Sequence, residues 1–210
     1  MNSPVLIGCE ESQTVCKAFR DKRYMAYSCD LLPTRGNTSW HYQADIMEVI
    51  PRKEKWGLII LHPDCTAMAT TGNRWYSNGT LGYESRVKAV VWTLQLWELA
   101  KKHSKRVALE NPVSVIFSEI PSSQYIQPWQ FGHGEVKKTG LALHNLPPLE
   151  PTNIVDGRNQ RVWKMSPGKN RKRDRSKTFL GIAEAMAEQW GAALQEDSKR
   201  KRVSRFYLQI

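Results

Sequence analysis

Cys65 and Glu110 are the residues of this chain whose types and positions most favour covalent chemistry. Cys65 comes shortly after the apolar run WGLIIL (56–61), and Glu110 lies near the end of RVALENP (106–112). A cysteine attacks as its thiolate, which nearby positive charge or a helix terminus favours, and a carboxyl group close by can donate a proton to a bound ring. Taken alone, a cysteine after an apolar run is more often an inert packing residue, so its interpretation depends on its surroundings.

Acidic side chains follow three other apolar stretches nearer the N-terminus. They are Glu10 and Glu11 after SPVLIG, Asp30 at the end of YMAYSCD, and Asp45 within HYQADIMEVI. An acid at the end of a second strand commonly binds ribose hydroxyls, and the next acid can accept a hydrogen bond from an adenine amino group. Asp30 and Asp45 could equally cap helices, and both alternatives stay open at this point.

The elements that must position these residues are strands alternating with helices. Strands are predicted over 3–8, 24–30, 56–61 and 106–112, with a strand end and a short helix within 41–50. Ser12 is expected to cap a helix that runs to about Lys22. A long helix over 84–103 is expected to bury its apolar positions, which are Val87, Val90, Val91, Leu94, Trp97 and Leu99. This alternation predicts a doubly wound, mostly parallel α/β sheet.

In such a sheet, ligands bind outside the carboxyl ends of the strands. All the residues introduced above fall at predicted strand ends, and Cys65 shares a rim with Glu110 if the fourth and fifth strands are central. Asn111 and Pro112 make a rigid strand exit beside Glu110, and His62 lies close enough in sequence to be considered as an activator of the thiol. The ordered series favours chemistry over packing for Cys65.

The pattern weakens beyond residue 113. TGLALH (139–144) is predicted to be a late strand and 178–194 a final amphipathic helix, with loop-like sequence between them. The stretch QPWQFGHGEVKKTG (127–140) could line a base pocket, with Trp129 or Phe131 stacking on a base, His133 donating a hydrogen bond and Lys137 nearby. A plain loop with buried aromatic side chains fits this stretch equally well.

The charge of the chain favours a polyanionic partner. The formal net charge is +11 at pH 7. Much of the excess lies in GKNRKRDRSK (168–177) and SKRKRVSRF (198–206). Such blocks attract nucleic acids through the release of condensed counterions. A solvated tail is the alternative, so charge supports a nucleic-acid partner without identifying one.

The cysteines and the hydropathy pattern indicate a compartment. The four cysteines all lie in the first third of the chain and form no C-x-x-C pair, so no metal site is expected, and the thiols are expected to be reduced in a cytoplasm. The sequence has no run of eighteen or more apolar residues and does not begin like a secretion signal. No membrane association is therefore expected.

These residues, in this order, resemble the motifs of the cytosine-C5 DNA methyltransferases and of small phage proteins related to them. The stretch His62-Pro63-Asp64-Cys65 is similar to the Pro-Pro-Cys of the nucleophile motif, and Glu110-Asn111-Pro112 to the Glu-Asn-Val motif. Asp30 matches the ribose-binding acid, Asp45-Ile46 the pair at the adenine, and 181–187 the last motif. The resemblance covers 4–112 and 176–192.

The resemblance implies a fold and a division of the chain. The fold is a Rossmann-like doubly wound sheet of the S-adenosylmethionine-dependent methyltransferase type. A single methyltransferase-like domain would span 1–195, in which 113–175 would be a reduced target-recognition region or insert. A basic tail would follow over 196–210.

The resemblance also implies a mechanism. A cytosine is flipped from the stack, Cys65 attacks C6 while Glu110 protonates or hydrogen-bonds N3, and C5 takes the methyl group of S-adenosylmethionine. A base then removes the C5 proton and Cys65 leaves. The residues expected to bind the cofactor are Gly8, Cys9, Glu10, Asp30, Leu31, Asp45 and Ile46. Those expected to contact the substrate are His62, Pro63, Asn111, Pro112, Trp129, His133 and Lys137.

Three features depart from the family pattern. The first motif, IGCEES, keeps only Gly8 of the usual glycines. Asp64 stands where the family has proline, and its carboxylate should raise the pKa of the Cys65 thiol. The Arg-rich strand that the family uses around the base has no clear match, although Lys137 and Lys138 precede TGLALH.

The expected function is therefore DNA cytosine-C5 methylation, in the cytoplasm of a bacterial host cell if the protein is phage-encoded. One alternative is a catalytically silent relative that keeps the fold and binds nucleic acid. Another is an enzyme of the same fold that modifies RNA or a free pyrimidine nucleotide. Cys65 together with Glu110 favours the enzyme, because a pure binding protein has no evident use for both.

Overall fold

Within the computed structural model, which describes residues 3–121 and 124–195, the strands form one sheet. The strands are β1 (Val5–Gly8), β2 (Ala26–Asp30), β3 (His41–Gln43), β4 (Leu58–Leu61), β5 (Val107–Pro112), β6 (Gln124–Ile126) and β7 (Thr139–His144). Their order across the sheet is β3-β2-β1-β4-β5-β7-β6. The expected basic tail at 196–210 lies outside the described residues.

The direction of the strands confirms the predicted fold class. The strands from β1 to β5 pair in parallel, and β7 pairs antiparallel with both β5 and β6. The chain leaves β1 toward β2 on one side and reaches β4 on the other, so the order reverses at the middle of the sheet, where open α/β sheets bind their ligands. The fold is a Rossmann-like doubly wound, mostly parallel α/β sheet of the methyltransferase type.

Helices connect the strands. They are α1 (Thr14–Asp21), α2 (Ile46–Val49), α3 (Asn73–Tyr76), α4 (Tyr83–His103), α5 (Ile116–Glu119), α6 (Arg161–Lys164), α7 (Arg171–Ser176) and α8 (Leu180–Ala185). Short 3-10 turns lie at Thr38–Trp40, Ile50–Arg52, Thr70–Gly72 and Pro128–Gln130. The chain continues from α8 through a π turn at Met186–Trp190 into a helical turn at 191–195.

The core has two layers because the sheet is covered on both faces. Successive strand residues point to opposite faces. Val5 and Ile7 therefore pack with α1 and α8, whereas Leu6 packs with α2 and α4. Every residue of β1 and β4 is fully or nearly fully buried, which explains why both strands are continuous apolar runs rather than alternating ones.

The start of α1 differs from the prediction that Ser12 caps it. The residue before the helix is Gln13, which has a left-handed backbone (φ 57°) and makes no side-chain cap hydrogen bond. The Glu10 carboxylate instead accepts hydrogen bonds from the N–H groups of Val15 (2.6 Å) and Cys16 (3.1 Å). A carboxylate from outside the helix thus stabilises the positive end of the helix dipole.

The long helix has nearly the predicted bounds, and four of its six expected apolar positions contact the core. Trp97 is buried, and Val90, Leu94 and Leu99 are partly buried against the core, whereas Val87 and Val91 are exposed. The other buried side chains of α4 are Arg86, Thr93, Leu96 and Ala100. Arg86 is buried near the start of α4, where it donates to the carbonyl of Ala67 in the loop after β4. No helix within 3–121 and 124–195 has the length and apolarity needed to cross a membrane.

Candidate active site at the carboxyl edge of the sheet

The carboxyl ends of the parallel strands meet at one edge of the sheet, which we call the carboxyl edge. Cys65 lies four residues beyond the last residue of β4, and Glu110 is within β5, the next strand across the sheet. Because β7 is antiparallel, its first residue comes to the same edge and Thr139 pairs with Pro112. Lys137, just before β7, therefore approaches the edge from the opposite chain direction. The structure thus brings Cys65, Glu110 and Lys137 together as the sequence predicted.

Glu110 is a buried carboxylate held by His62. The Nδ1 atom of His62 lies 3.1 Å from Glu110 Oε2, and the two side chains are 11% and 12% exposed. Burial alone would raise the pKa of Glu110, but the hydrogen bond to His62 and the charge of Lys137 outweigh it and hold the pKa below its ordinary value. His62 therefore contacts the expected acid rather than the expected nucleophile.

Cys65 is a free, partly exposed cysteine. Burial, then the negative charge of Glu110, then that of Asp64 raise the pKa of its thiol, while the charge of Lys137 opposes them. Asp64 therefore raises the pKa of the thiol, as expected, but by less than burial and Glu110 do. In the free protein the thiol is predominantly protonated at neutral pH.

Asp64 is turned toward its own loop and toward α7. Its Oδ1 accepts hydrogen bonds from the backbone N–H (2.9 Å) and the hydroxyl (2.5 Å) of Thr66, and its Oδ2 accepts from Lys172 Nζ at 2.8 Å. Burial would raise its pKa, but Lys172 and Thr66 hold the pKa below the ordinary value. Asp64, which stands where the cytosine-C5 methyltransferase motif has proline, thus stabilises the local turn. Lys172 partly neutralises its charge.

Arg86 fixes the loop that follows Cys65, a role that sequence reasoning missed. Its side chain is buried and donates hydrogen bonds to the carbonyl of Ala67 at 2.7 Å and to Asn73 Oδ1 at 3.0 Å. In the same loop the carbonyl of Cys65 accepts from the N–H groups of Met68 and Ala69. In sequence, Arg86 follows a Glu-Ser pair and resembles an ordinary surface residue of α4, so no pattern signalled this role.

The Glu-Asn-Pro stretch ties β5 to the segment that leads to Cys65. Asn111 is 1% exposed and donates from Nδ2 to the carbonyl of Pro63 at 3.0 Å, while Pro63 itself is buried. Among the described residues, neither Asn111 Oδ1 nor His62 Nε2 has a hydrogen-bond partner, although both atoms are buried. A buried polar atom left unsatisfied costs about 1–3 kcal/mol, so these two atoms are unfavourable as the fold leaves them.

The acids after β1 are already engaged within the protein. Glu10 accepts from the start of α1, as described above. Glu11 accepts hydrogen bonds from both Arg35 (2.7 and 3.2 Å) and Arg173 (3.0 and 3.1 Å). Burial would raise the pKa of Glu11, but the two guanidinium groups hold it below the ordinary value.

The acids after β2 and β3 each accept a local hydrogen bond and can accept further ones. Asp30 Oδ1 accepts from the N–H of Leu32, and Asp45 Oδ1 accepts from the N–H of Met47 as the cap of α2. The capping alternative therefore describes Asp45 correctly, but each carboxylate has a second oxygen that can accept from a ligand. Burial is the main cause that raises the pKa of Asp30. Leu31, next to Asp30, is 71% exposed.

The remaining expected cofactor residues contribute backbone or packing. The side chain of Ile46 is buried, and a Cβ at Gly8 would come within 2.9 Å of it. Gly8 thus leaves room for Ile46 where β1 packs on α2, and its role at the cofactor stays a prediction. Cys9 has a left-handed backbone (φ 59°), and burial, followed by the charge of Asp30, raises its pKa.

The stretch 127–140 divides between structural and site residues. Arg158 stacks on the Trp129 ring at 4.0 Å, and His133 Nε2 accepts from the N–H of Gly181 at 3.0 Å. A Cβ at Gly181 would meet the carbonyl of Phe131 at 1.9 Å, so glycine is needed where this stretch meets α8. Of the substrate residues expected in this stretch (Trp129, His133 and Lys137), Lys137 acts electrostatically on both Cys65 and Glu110.

The strand order, the antiparallel β7 and the polar carboxyl edge define a protein with a methyltransferase fold. No protein-family profile matches the chain, and no curated protein matches its sequence. Solved structures do show a likeness. It extends to a methyltransferase of Entamoeba histolytica, EhMeth, with a TM-score of 0.48 and 11% identity over 81% of this chain and 62% of that one.

Two further solved structures are similar to this chain. The Dnmt2 methyltransferase of S. pombe has a TM-score of 0.46 and 13% identity over 80% of this chain and 55% of that one. The bifunctional kinase-methyltransferase WbdD has a TM-score of 0.45 and 12% identity over 70% of this chain and 36% of that one. The chain therefore spans between about a third and three-fifths of the length of these proteins. At these identities the likeness concerns the fold alone.

Proposed function

We propose that this protein is an S-adenosylmethionine-dependent methyltransferase that acts on C5 of cytosine in DNA, with Cys65 as the nucleophile and Glu110 as the acid at N3. The observation that carries the proposal is the pairing of a partly exposed thiol with a buried carboxylate from the neighbouring strand, close enough to interact electrostatically. A ring bound between them would meet a nucleophile and a proton donor at once.

Cys65 and Glu110 can act as one proton-transfer unit. Before reaction the thiol is protonated and the carboxylate is ionised, because the pKa of Cys65 is raised and that of Glu110 is lowered. Transfer of the thiol proton to Glu110, directly or through one water, breaks the S–H bond and forms an O–H bond. The thiolate can then attack C6 while the new carboxylic acid donates to N3. His62 orients Glu110 throughout, and the charge of Lys137 stabilises the thiolate.

The residues present fit the proposed cofactor in part. When bound, S-adenosylmethionine would supply an electrophilic methyl group for C5. The second oxygens of Asp30 and Asp45 suit the ribose and the adenine, and the exposed Leu31 offers an apolar surface beside them. The amino-acid end would meet Glu11, which would have to exchange one of its arginine partners for the ligand's ammonium group.

The proposal is tested with labelled S-adenosylmethionine and DNA, with 5-methylcytosine as the product measured. We expect transfer by the unaltered protein and none by Cys65→Ser. Cys16→Ala is a matched control, because Cys16 is a buried thiol at the start of α1 that lies beside Glu10 rather than beside Glu110. Methyl transfer that survives Cys65→Ser would overturn the C5 mechanism. An absence of cofactor binding in calorimetry would overturn the enzyme assignment itself.

A second candidate function is a nucleic-acid-binding protein without catalysis. Two observations favour it: the raised pKa of Cys65, and the engagement of Glu11 with two arginines. This candidate predicts salt-dependent binding to DNA with no measurable affinity for S-adenosylmethionine. RNA and free cytidine nucleotides, tested in the same methyl-transfer assay, separate DNA from the other substrates that the fold would accept.

A further inference from the structure

The basic block predicted to bind polyanions lies across the carboxyl edge, close to Cys65. We call residues 168–177, which contain α7, the basic segment; its cations are Lys169, Arg171, Lys172, Arg173, Arg175 and Lys177, and its acid is Asp174. Arg173 anchors the segment to Glu11, and Lys172 reaches Asp64, the neighbour of Cys65, at 2.8 Å. Glu11, which follows β1, and Asp64, which follows β4, therefore hold the segment at the candidate active site.

Three of these six cations are exposed and can meet a ligand. Lys169 and Lys177 are exposed. The pair between Lys172 and Asp64 is itself open, with side chains 73% and 60% exposed, and an exposed pair of this kind contributes little stability. A phosphate can therefore replace Asp64 as the partner of Lys172 at small cost, while the Arg173–Glu11 contact keeps the segment in place.

An exposed aromatic side chain lies in the loop that follows Cys65. Trp75 of α3 is 65% exposed, and the guanidinium of Arg74 lies 5.2 Å from its ring centroid. The basic segment reaches the start of the same loop, because Lys172 bonds to Asp64 at 2.8 Å, and Tyr76 of α3 also interacts electrostatically with Lys172. The loop that carries α3 begins at Cys65 and is fixed by Arg86. A stacking surface and a row of cations thus meet next to the candidate nucleophile.

We propose that α3 and the basic segment bind a single nucleic-acid strand, with a base stacked on Trp75 and phosphates on Lys172 and its exposed neighbours. This inference rests on the proposed function for the role of Cys65, but the binding itself does not require catalysis. A single strand suits the surface better than a duplex, because the bases of a duplex are already stacked and offer no free face to an exposed indole. A target base in a single strand also reaches Cys65 without the energy needed to flip it from a duplex.

Fluorescence anisotropy on labelled single-stranded DNA, single-stranded RNA of the same sequence and duplex DNA tests the proposal. Single strands should bind more tightly than the duplex. Trp75→Ala should weaken single-strand binding by about tenfold, and Trp75→Phe should restore part of the affinity because it keeps an aromatic face. The Lys169→Ala/Lys172→Ala double variant should lower the salt slope of single-strand binding by about 1.4, since each phosphate contact contributes roughly 0.7.

The control removes the same charge from the opposite edge of the sheet. Lys102 and Lys105 are exposed near the end of α4, just before the first residue of β5. Lys102→Ala/Lys105→Ala should leave the salt slope almost unchanged. Equal losses in both double variants, or tighter binding of the duplex with no effect of Trp75→Ala, would overturn the proposal. The DNA and RNA arms show which kind of strand is preferred.

The same measurements on Cys65→Ser separate this proposal from the proposed function. Strand binding retained by Cys65→Ser, in a protein that transfers no methyl group even when unaltered, would leave the surface assignment standing and remove the enzyme. Methyl transfer to duplex DNA that is unaffected by Trp75→Ala would leave the enzyme standing and remove the surface assignment.

Discussion

The two halves of the carboxyl edge use their polar side chains differently. In the half formed by β1, β2 and β3, the carboxylates of Glu10 and Glu11 already accept hydrogen bonds from α1 and from two arginines. In the half formed by β4, β5 and β7, Cys65 is partly exposed, and the buried Oδ1 of Asn111 has no partner among the described residues. The acids just after β1 thus bond to a helix start and to arginines, whereas the other half pairs a partly exposed thiol with a buried carboxylate.

This difference locates the chemistry more firmly than the motifs do. Buried polar atoms are nearly always hydrogen-bonded in native proteins, so the orphaned atoms of His62 and Asn111 beside Glu110 are unusual. The acids of the first half have structural tasks that would remain if the protein bound no ligand. The second half is therefore the better supported part of the site, and the predictions below are designed to separate the two halves.

Glu110→Gln should have the largest effect, because it removes the acid of the second half while keeping its shape. If methyl transfer is measured, the rate should fall by about 10²–10⁴-fold, the usual contribution of a general acid. Cofactor affinity, which the proposed function assigns to the first half, should change little. Glu119→Gln on α5, an exposed carboxylate, serves as the control. A parallel loss of cofactor affinity in Glu110→Gln would mean that the two halves are not separate.

Arg86→Gln should destabilise the loop that carries Cys65. The buried guanidinium bonds to the Ala67 carbonyl and to Asn73, and removal of one such partner leaves buried acceptors unsatisfied at a cost of about 1–3 kcal/mol. Urea unfolding should show this loss, and proteolysis should cut within 66–76 sooner than in the unaltered protein. Lys105→Gln, at an exposed position just before β5 at the opposite edge, is the comparison. Unchanged cleavage of the loop would contradict the positioning role of Arg86.

The sequence predicted the frame of the site because its strands are short, continuous apolar runs with acids at their ends. Those runs are buried on both faces, so the local sequence was enough to recognise them as strands. TGLALH was predicted with the bounds that the structure has. Its antiparallel direction could not be recognised, since direction depends on which neighbour a strand meets. Three-residue β6 carries too little pattern to be predicted at all.

The missed features are contacts that depend on how the chain folds back on itself. Glu10 replaces Ser12 at the start of α1 because the tight turn after β1 brings its carboxylate back onto the helix. Arg86 is buried because loop carbonyls surround it. Lys172 reaches Asp64 across 108 residues of sequence. Helical spacing and local motifs contain no information on such contacts, which is why the burial of Arg86 in α4 was not predicted.

Thiol alkylation should rank the acids that act on Cys65. The charge of Glu110 raises the pKa of the thiol more than that of Asp64 does, so neutral substitutions should lower the thiol pKa in that order. At a slightly alkaline pH, where more thiolate means faster reaction, iodoacetamide should modify Glu110→Gln fastest, Asp64→Asn by a smaller increment and the unaltered protein slowest. The reverse order for the two variants would show that Asp64, rather than Glu110, controls the thiol.

Arg173→Ala should have the smallest effect, and that effect should be confined to the first half. Glu11 keeps Arg35 as a partner, so the protein should fold with a modestly lower urea midpoint near neutral pH. Since the folded pKa of Glu11 lies below its ordinary 4.5, the ion pair stabilises the protein fully above that pH, and the stabilisation is lost as the pH falls through the folded pKa. The difference between variant and unaltered protein should therefore shrink in acid, while alkylation of Cys65 stays unchanged. A change in the alkylation rate would show that the basic segment couples the two halves.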